Sequence, residues 1–178
     1  MVPTLGHAAI VAALGAAVFA AAAFVLGGRA ADPRLLAAAR RAMYAVFVLA
    51  ALASAALVVS LLTHDFSVSY VARNNSTTMP PWISLISLWA ALEGSILFWA
   101  LLLGGFSALV LHLYRSRQQA LMPWVGATLA CVSAFFLLVL AIPGNPFERV
   151  TPVAGEGPGP NALLQNHPFM GLHPPLLY

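Results

Sequence analysis

The amino-acid sequence predicts an all-α integral membrane protein with four transmembrane helices, its N-terminus outside, and the start of a fifth helix at the C-terminal end. Three observations carry that expectation. Of 178 residues, 61% are apolar and 7% are charged, roughly a quarter of the charge of a soluble domain, so the chain has too little polar surface to face water. A bilayer core of about 30 Å takes about 20 apolar residues in helical form, and residues 5–26, 43–62, 88–113 and 122–142 meet that length. Arginines sort the connections: Arg29, Arg34, Arg40 and Arg41 lie between spans one and two, and Arg115 and Arg117 between three and four. The excess of basic residues in cytoplasmic loops assigns both segments to the cytoplasm, so the N-terminus, a loop at 63–81 and a tail at 143–178 face outward. The whole chain, 1–178, reads as a single membrane domain.

Taken in order, span one lacks the basic flank of a secretory signal and exceeds its usual apolar length, so it is read as retained. Gly6, Gly15 and the alanines between them would allow a neighbouring helix to approach closely. Span three holds Glu93, the only acid in an apolar run, and an ionisable group in a span is expensive enough to be a functional candidate. If the span begins near Ser95, residues 82–92 lie along the outer surface and Glu93 is interfacial. Trp82, Trp89, Trp99 and Trp124 are first of all anchors at the membrane interface. The tail is rich in Pro and Gly between Pro143 and Pro160 and is expected to be irregular, before an apolar stretch from Ala162. The sequence stops inside that stretch, which suggests a fragment or a truncated reading frame.

Composition also excludes several functions. Cys131 is the only cysteine, so there is no internal disulfide, no CxxC redox pair and no CxxCH haem-attachment site. Five acids, eight arginines and no lysine give a net charge of +3, which reports loop arginines rather than a nucleic-acid surface. The partner implied by composition is the lipid bilayer.

The candidate chemistry sits in the outward segments. In NALLQNHPFMGLHPPLLY (161–178) each of His167 and His173 precedes a proline. Pro174 holds His173 out of the α region, while two prolines are tolerated in a helix's first turn, so His173 falls at a helix cap. There a neutral imidazole can ligate haem iron or simply cap the helix. His7, His64 and His112 read as interfacial residues at span ends. Arg73 can pair with Glu93, contact a haem propionate through its guanidinium, or lie solvated near the headgroups. Asn74, Asn75 and Ser76 either turn the chain or bind a partner.

Three stretches in this order, DFSVSYVARNNS (65–76), LWAALEGSILFW (88–99), and NPFERVTP (145–152) with the terminal HPPLLY, resemble the CcmF haem lyases of cytochrome c maturation. The resemblance covers essentially all of this chain and a minor, N-terminal part of the family's length, ending before the WWD segment. It implies that His173 is one of two external axial ligands to a b-type haem in transit, held at the outer face of the bacterial cytoplasmic membrane for covalent attachment to apocytochrome c. The implied partners are a haem chaperone of the CcmE type, apocytochrome c, and thiol-reducing or apocytochrome-presenting proteins of the CcmH type. A complete protein would be a cytochrome c haem lyase, whereas this portion alone is not expected to catalyse ligation. Where the family usually shows WGxxEGS, this chain has Trp89-Ala90-Ala91-Leu92-Glu93-Gly94-Ser95.

Two other readings belong to different classes. These helices can be scaffold that docks a partner while the haem site lies elsewhere, or part of a transporter. A transporter would line several spans with polar groups, and here only Glu93 qualifies.

Overall fold

A computed structural model of the chain describes residues 1–162, 169, 171 and 176. Among them the regular secondary structure is helical, apart from one isolated antiparallel bridge between Val68 and Arg149, and residues 142–161 run without a helix. Four helices are long and apolar enough to cross a membrane: α1 (Val2–Ala30), α2 (Pro33–Leu62), α5 (Leu92–Leu113) and α6 (Met122–Ala141). Two short helices, α3 (Ser69–Asn74) and α4 (Pro81–Ile86), and a 3₁₀ turn (Ser87–Trp89) lie between α2 and α5.

Both of the first two helices run past the apolar cores that the sequence isolates. The connection between them shrinks to Ala31 and Asp32. Ala31 adopts the left-handed conformation (φ 51°, ψ 35°) that ends α1, and the Asp32 carboxylate accepts the Arg34 N–H at 2.8 Å and that of Leu35 at 3.3 Å. With Pro33 already at φ values a helix needs, α2 starts ten residues before the apolar run at 43. Arginines depress hydropathy there, but the Ala, Leu and Arg of residues 34–42 are good helix formers. Span three shows the opposite mismatch. Its apolar run from 88 is broken by Ala91, whose extended backbone (φ −137°, ψ 170°) caps a helix that begins at Leu92.

α1 packs most extensively on α2 and next on α6, while α5 leans on α2 and α6. The α1 seam is made of buried Ala9, Ala13, Ala17, Ala20 and Ala23, small residues three or four apart that let backbones approach where lipid supplies no hydrophobic drive between helices. The buried residues of α2 include Met43, Val46, Ala50, Ala53 and Leu57. On the other flank the Phe24 ring fills the space a side chain on Gly126 would occupy, 2.6 Å from its Cβ position. The expected roles of two α1 glycines change. Gly15 faces open space, because it lies off the alanine seam, and Gly6 meets the ring of Phe147 from the tail instead of a helix.

Because α1 and α2 are antiparallel, as are α5 and α6, the chain has two distinct ends. One holds residue 2, the connection 63–91 and the segment after α6. The other holds residues 27–41 and 112–123, with six of the eight arginines.

Candidate functional site

The sequence-derived candidates Arg73 and Glu93 meet at the first of these ends, within a platform folded from residues 63–95. The platform begins where α2 stops. Asp65 accepts the Ser67 N–H and hydroxyl, turning the chain into α3. The tail then pairs with that turn: Ser69 N donates to the Glu148 carbonyl at 2.7 Å, and Val150 N to the Ser67 carbonyl at 3.0 Å.

α3 points Tyr70 into the protein, where it is buried. Its hydroxyl donates toward the Ser87 and Leu88 carbonyls, 2.8 and 3.1 Å away, and accepts the Ala91 N–H at 3.3 Å. One phenol therefore satisfies the backbone groups freed where the 3₁₀ turn breaks before α5, groups that are expensive to bury unpaired. Gly94 makes this approach possible. A Cβ there would collide with the Leu88 carbonyl oxygen and the Tyr70 hydroxyl. Ser95 completes the corner by donating its hydroxyl to the Trp89 carbonyl at 3.0 Å.

Glu93, in the first turn of α5, receives Arg73 Nη2 at 2.8 Å, and Arg73 Nε also donates to the Ser69 carbonyl at 3.4 Å. The carboxylate is the better shielded partner, with 19% of its side chain exposed against 57% for Arg73. Its position at a helix start is favourable for an anion. The three letters EGS thus have three separate tasks: an ion pair to α3, room for a tyrosine, and a hydroxyl bond back to the turn. Ala90, the position at which the resemblance leads one to expect glycine, adopts φ −74° and ψ −20°, a conformation open to any residue.

Within the Asn74-Asn75-Ser76 cluster, Asn75 has an architectural part. It is fully buried. Its Nδ2 donates to the Leu61 carbonyl at the end of α2, and its Oδ1 accepts the Ser76 N–H at 2.8 Å and the Ser84 hydroxyl at 3.2 Å. Its own backbone carbonyl accepts Gly159 N–H at 3.1 Å, so one residue links the tail to α2 and α4.

A second acid fastens the tail. Glu156 accepts the Thr77 N–H at 2.9 Å, the Thr77 hydroxyl, and the Gly157 N–H at 2.9 Å. These bonds hold its carboxyl at about 2, below the usual 4.5, with the Thr77 hydroxyl the largest cause, then the Thr77 and Gly157 amides. Nothing in the sequence pattern marks Glu156, because its partner is 79 positions away. Farther along, Trp89 Nε1 donates to the Gly171 carbonyl at 2.7 Å while its ring packs on Phe98 at 5.3 Å. Trp89 is therefore a tether for the tail. His173 and His167, and the helix expected after Pro174, lie outside the described residues. Among the described residues no three His, Cys, Asp or Glu side chains converge to hold a metal ion.

Four membrane-length helices, closed at one end by a hydrogen-bonded loop-and-tail platform, define a multi-pass membrane protein with an organised face at one membrane surface. Over its whole length the chain is homologous to a portion of the CcmF proteins of cytochrome c-type biogenesis. It is 36% identical to CcmF of Pseudomonas aeruginosa over 100% of its own length and 27% of that protein's. It is 35% identical to CcmF of Escherichia coli, again over 100% of its length and 28% of the relative, and 37% identical to CycK of Rhizobium meliloti. A solved cytochrome c haem lyase CcmF superposes with a TM-score of 0.86 at 35% identity, covering 100% of this chain and 28% of that one. No protein-family model matches the chain. The chain spans about a quarter of the length of these relatives.

Proposed function

We propose that this chain serves cytochrome c maturation as the N-terminal part of a haem lyase, presenting haem at the outer membrane face for covalent attachment to apocytochrome c. One observation carries the reading: the likeness to a solved haem lyase runs over 100% of the chain, platform included. Six of the eight arginines lie at the end opposite the platform, which supports a cytoplasmic arginine end and an outward platform in a bacterial cytoplasmic membrane.

In this reading haem, b-type and in transit, is cargo, and His173 is an axial ligand to its iron. The Trp89 bond to Gly171 supports that role, because it anchors the backbone two residues before His173 onto the start of α5. Arg73, with more than half its side chain exposed beside Glu93, is the candidate for a propionate contact. The chain contributes position and charge, while the thioether chemistry belongs to the haem vinyl groups and the apocytochrome thiols. A haem chaperone of the CcmE type, apocytochrome c and CcmH-type partners complete the scheme.

The test is the absorption spectrum of the full-length protein purified in detergent, oxidised and reduced, with and without His173→Ala. Loss or alteration of a six-coordinate haem signal is expected. An unchanged spectrum together with unchanged cytochrome c maturation would remove His173 as a ligand and leave this region as scaffold.

A further inference from the structure

The arginine end of the bundle carries an open crevice where four helices meet, with a cavity volume of about 190 Å³. Its floor is apolar: Phe24 from α1, Leu36 from α2, Leu111 from α5 and Met122 from α6. Its rim carries two guanidiniums, Arg40 of α2 and Arg115 just past α5. Neither makes an ion pair or hydrogen bond among the described residues, where the sole ion pair is Arg73 with Glu93. The acid nearest in sequence, Asp32, is committed to the Arg34 and Leu35 amides at the start of α2. Two unpaired arginines over an apolar floor, where the spans end, call for a ligand that is anionic at one end and hydrocarbon at the other.

From this geometry we propose that the crevice binds one anionic phospholipid, its phosphate held by Arg40 and Arg115 and the start of an acyl chain laid over Phe24, Leu36, Leu111 and Met122. Guanidinium forks match phosphate oxygens bidentately, and basic pockets between spans at the membrane surface suit lipid headgroups. A free phosphate would use the rim and leave the floor wet, which is why the lipid is favoured. Arg29, Arg34, Arg41 and Arg117 share this end but do not line the crevice, so they provide an internal control for diffuse attraction to an anionic surface.

The experiment is native mass spectrometry of the full-length protein, delipidated in mild detergent and given an equimolar mixture of phosphatidylglycerol and phosphatidylcholine. Preferential retention of phosphatidylglycerol is expected. The double variant Arg40→Gln, Arg115→Gln lowers it by about tenfold or more, given the attraction each basic residue contributes near a membrane surface. The pair Arg34→Gln, Arg117→Gln leaves it unchanged, and Arg40→Lys, Arg115→Lys retains part of it, which separates lost charge from lost folding. Three results would each overturn the proposal: no preference in the parent protein, equal loss in the crevice and control pairs, or full displacement by inorganic phosphate, which would indicate a free-anion site.

Discussion

At the scale of single residues, Gly94 and Tyr70 form a lock whose two halves fail differently. The buried phenol reaches three backbone groups around the break before α5, so Tyr70→Phe should lower stability by roughly 1–3 kcal/mol, the Leu88 carbonyl and Ala91 N–H losing this partner while the Ser87 carbonyl keeps the Ala90 N–H. Gly94→Ala should be worse, about 2–4 kcal/mol, because its Cβ collides with a carbonyl as well as with the phenol and relief requires backbone movement. Thermal unfolding in detergent measures both, and equal losses would contradict the steric account. Ala31 runs the other way. Its left-handed backbone is strained for a residue with a Cβ, so Ala31→Gly should stabilise by roughly 0.5–1 kcal/mol; a lowered melting temperature would refute that. The Arg73–Glu93 pair is half in solvent, so Glu93→Gln should change stability by less than about 1 kcal/mol. Impaired maturation in that variant, with unchanged melting, would assign the carboxylate a functional role rather than a structural one.

At the scale of elements, the platform is held by contacts of long sequence separation. Glu156 provides a pH-dependent one. Its folded value near 2 lies below the ordinary 4.5, so the stabilisation is fully present above about 4.5 and declines as pH falls through 2, where the carboxylate is protonated in both states. Protection of the Thr77 and Gly157 amides, measured against the intrinsic exchange rate at each pH, should therefore be high at neutral pH and fall across that window. In Glu156→Gln exchange should be faster at neutral pH and lack that dependence, and a parent protein with no acid-induced loss would show that the tail is fixed by other contacts. The same distances explain what could be read from sequence. The four apolar helices were legible because hydropathy over 20 residues is a local property, and the EGS letters stood out because an acid beside an apolar run is rare. Asn75 and Glu156 were not legible as tethers, since their partners Leu61, Gly159 and Thr77 are fixed only by folding. The Ala91 break was only half legible: apolarity continues across it, so the sequence allowed a span from 88 as well as one beginning near Ser95, and the helix starts at Leu92.

For the molecule as a whole, the asymmetry between its ends is the property that matters most for function. One end concentrates the loop platform and tail, and the other concentrates arginine. If the arginine end faces the cytoplasm, as the positive-inside bias favours, the platform faces the opposite side, which is the side the proposed haem role needs. Cys131 is the single native cysteine, so Cys131→Ala gives a background in which Gly155→Cys reports the platform end and Ser116→Cys the arginine end. Both positions are solvent-exposed, and Gly155 has open space around it. A membrane-impermeant maleimide added to intact spheroplasts should label Gly155→Cys and spare Ser116→Cys, with both labelled after the membrane is opened. The reverse pattern would invert the topology, placing the platform on the cytoplasmic side, and the proposed role at the outer face would fall with it.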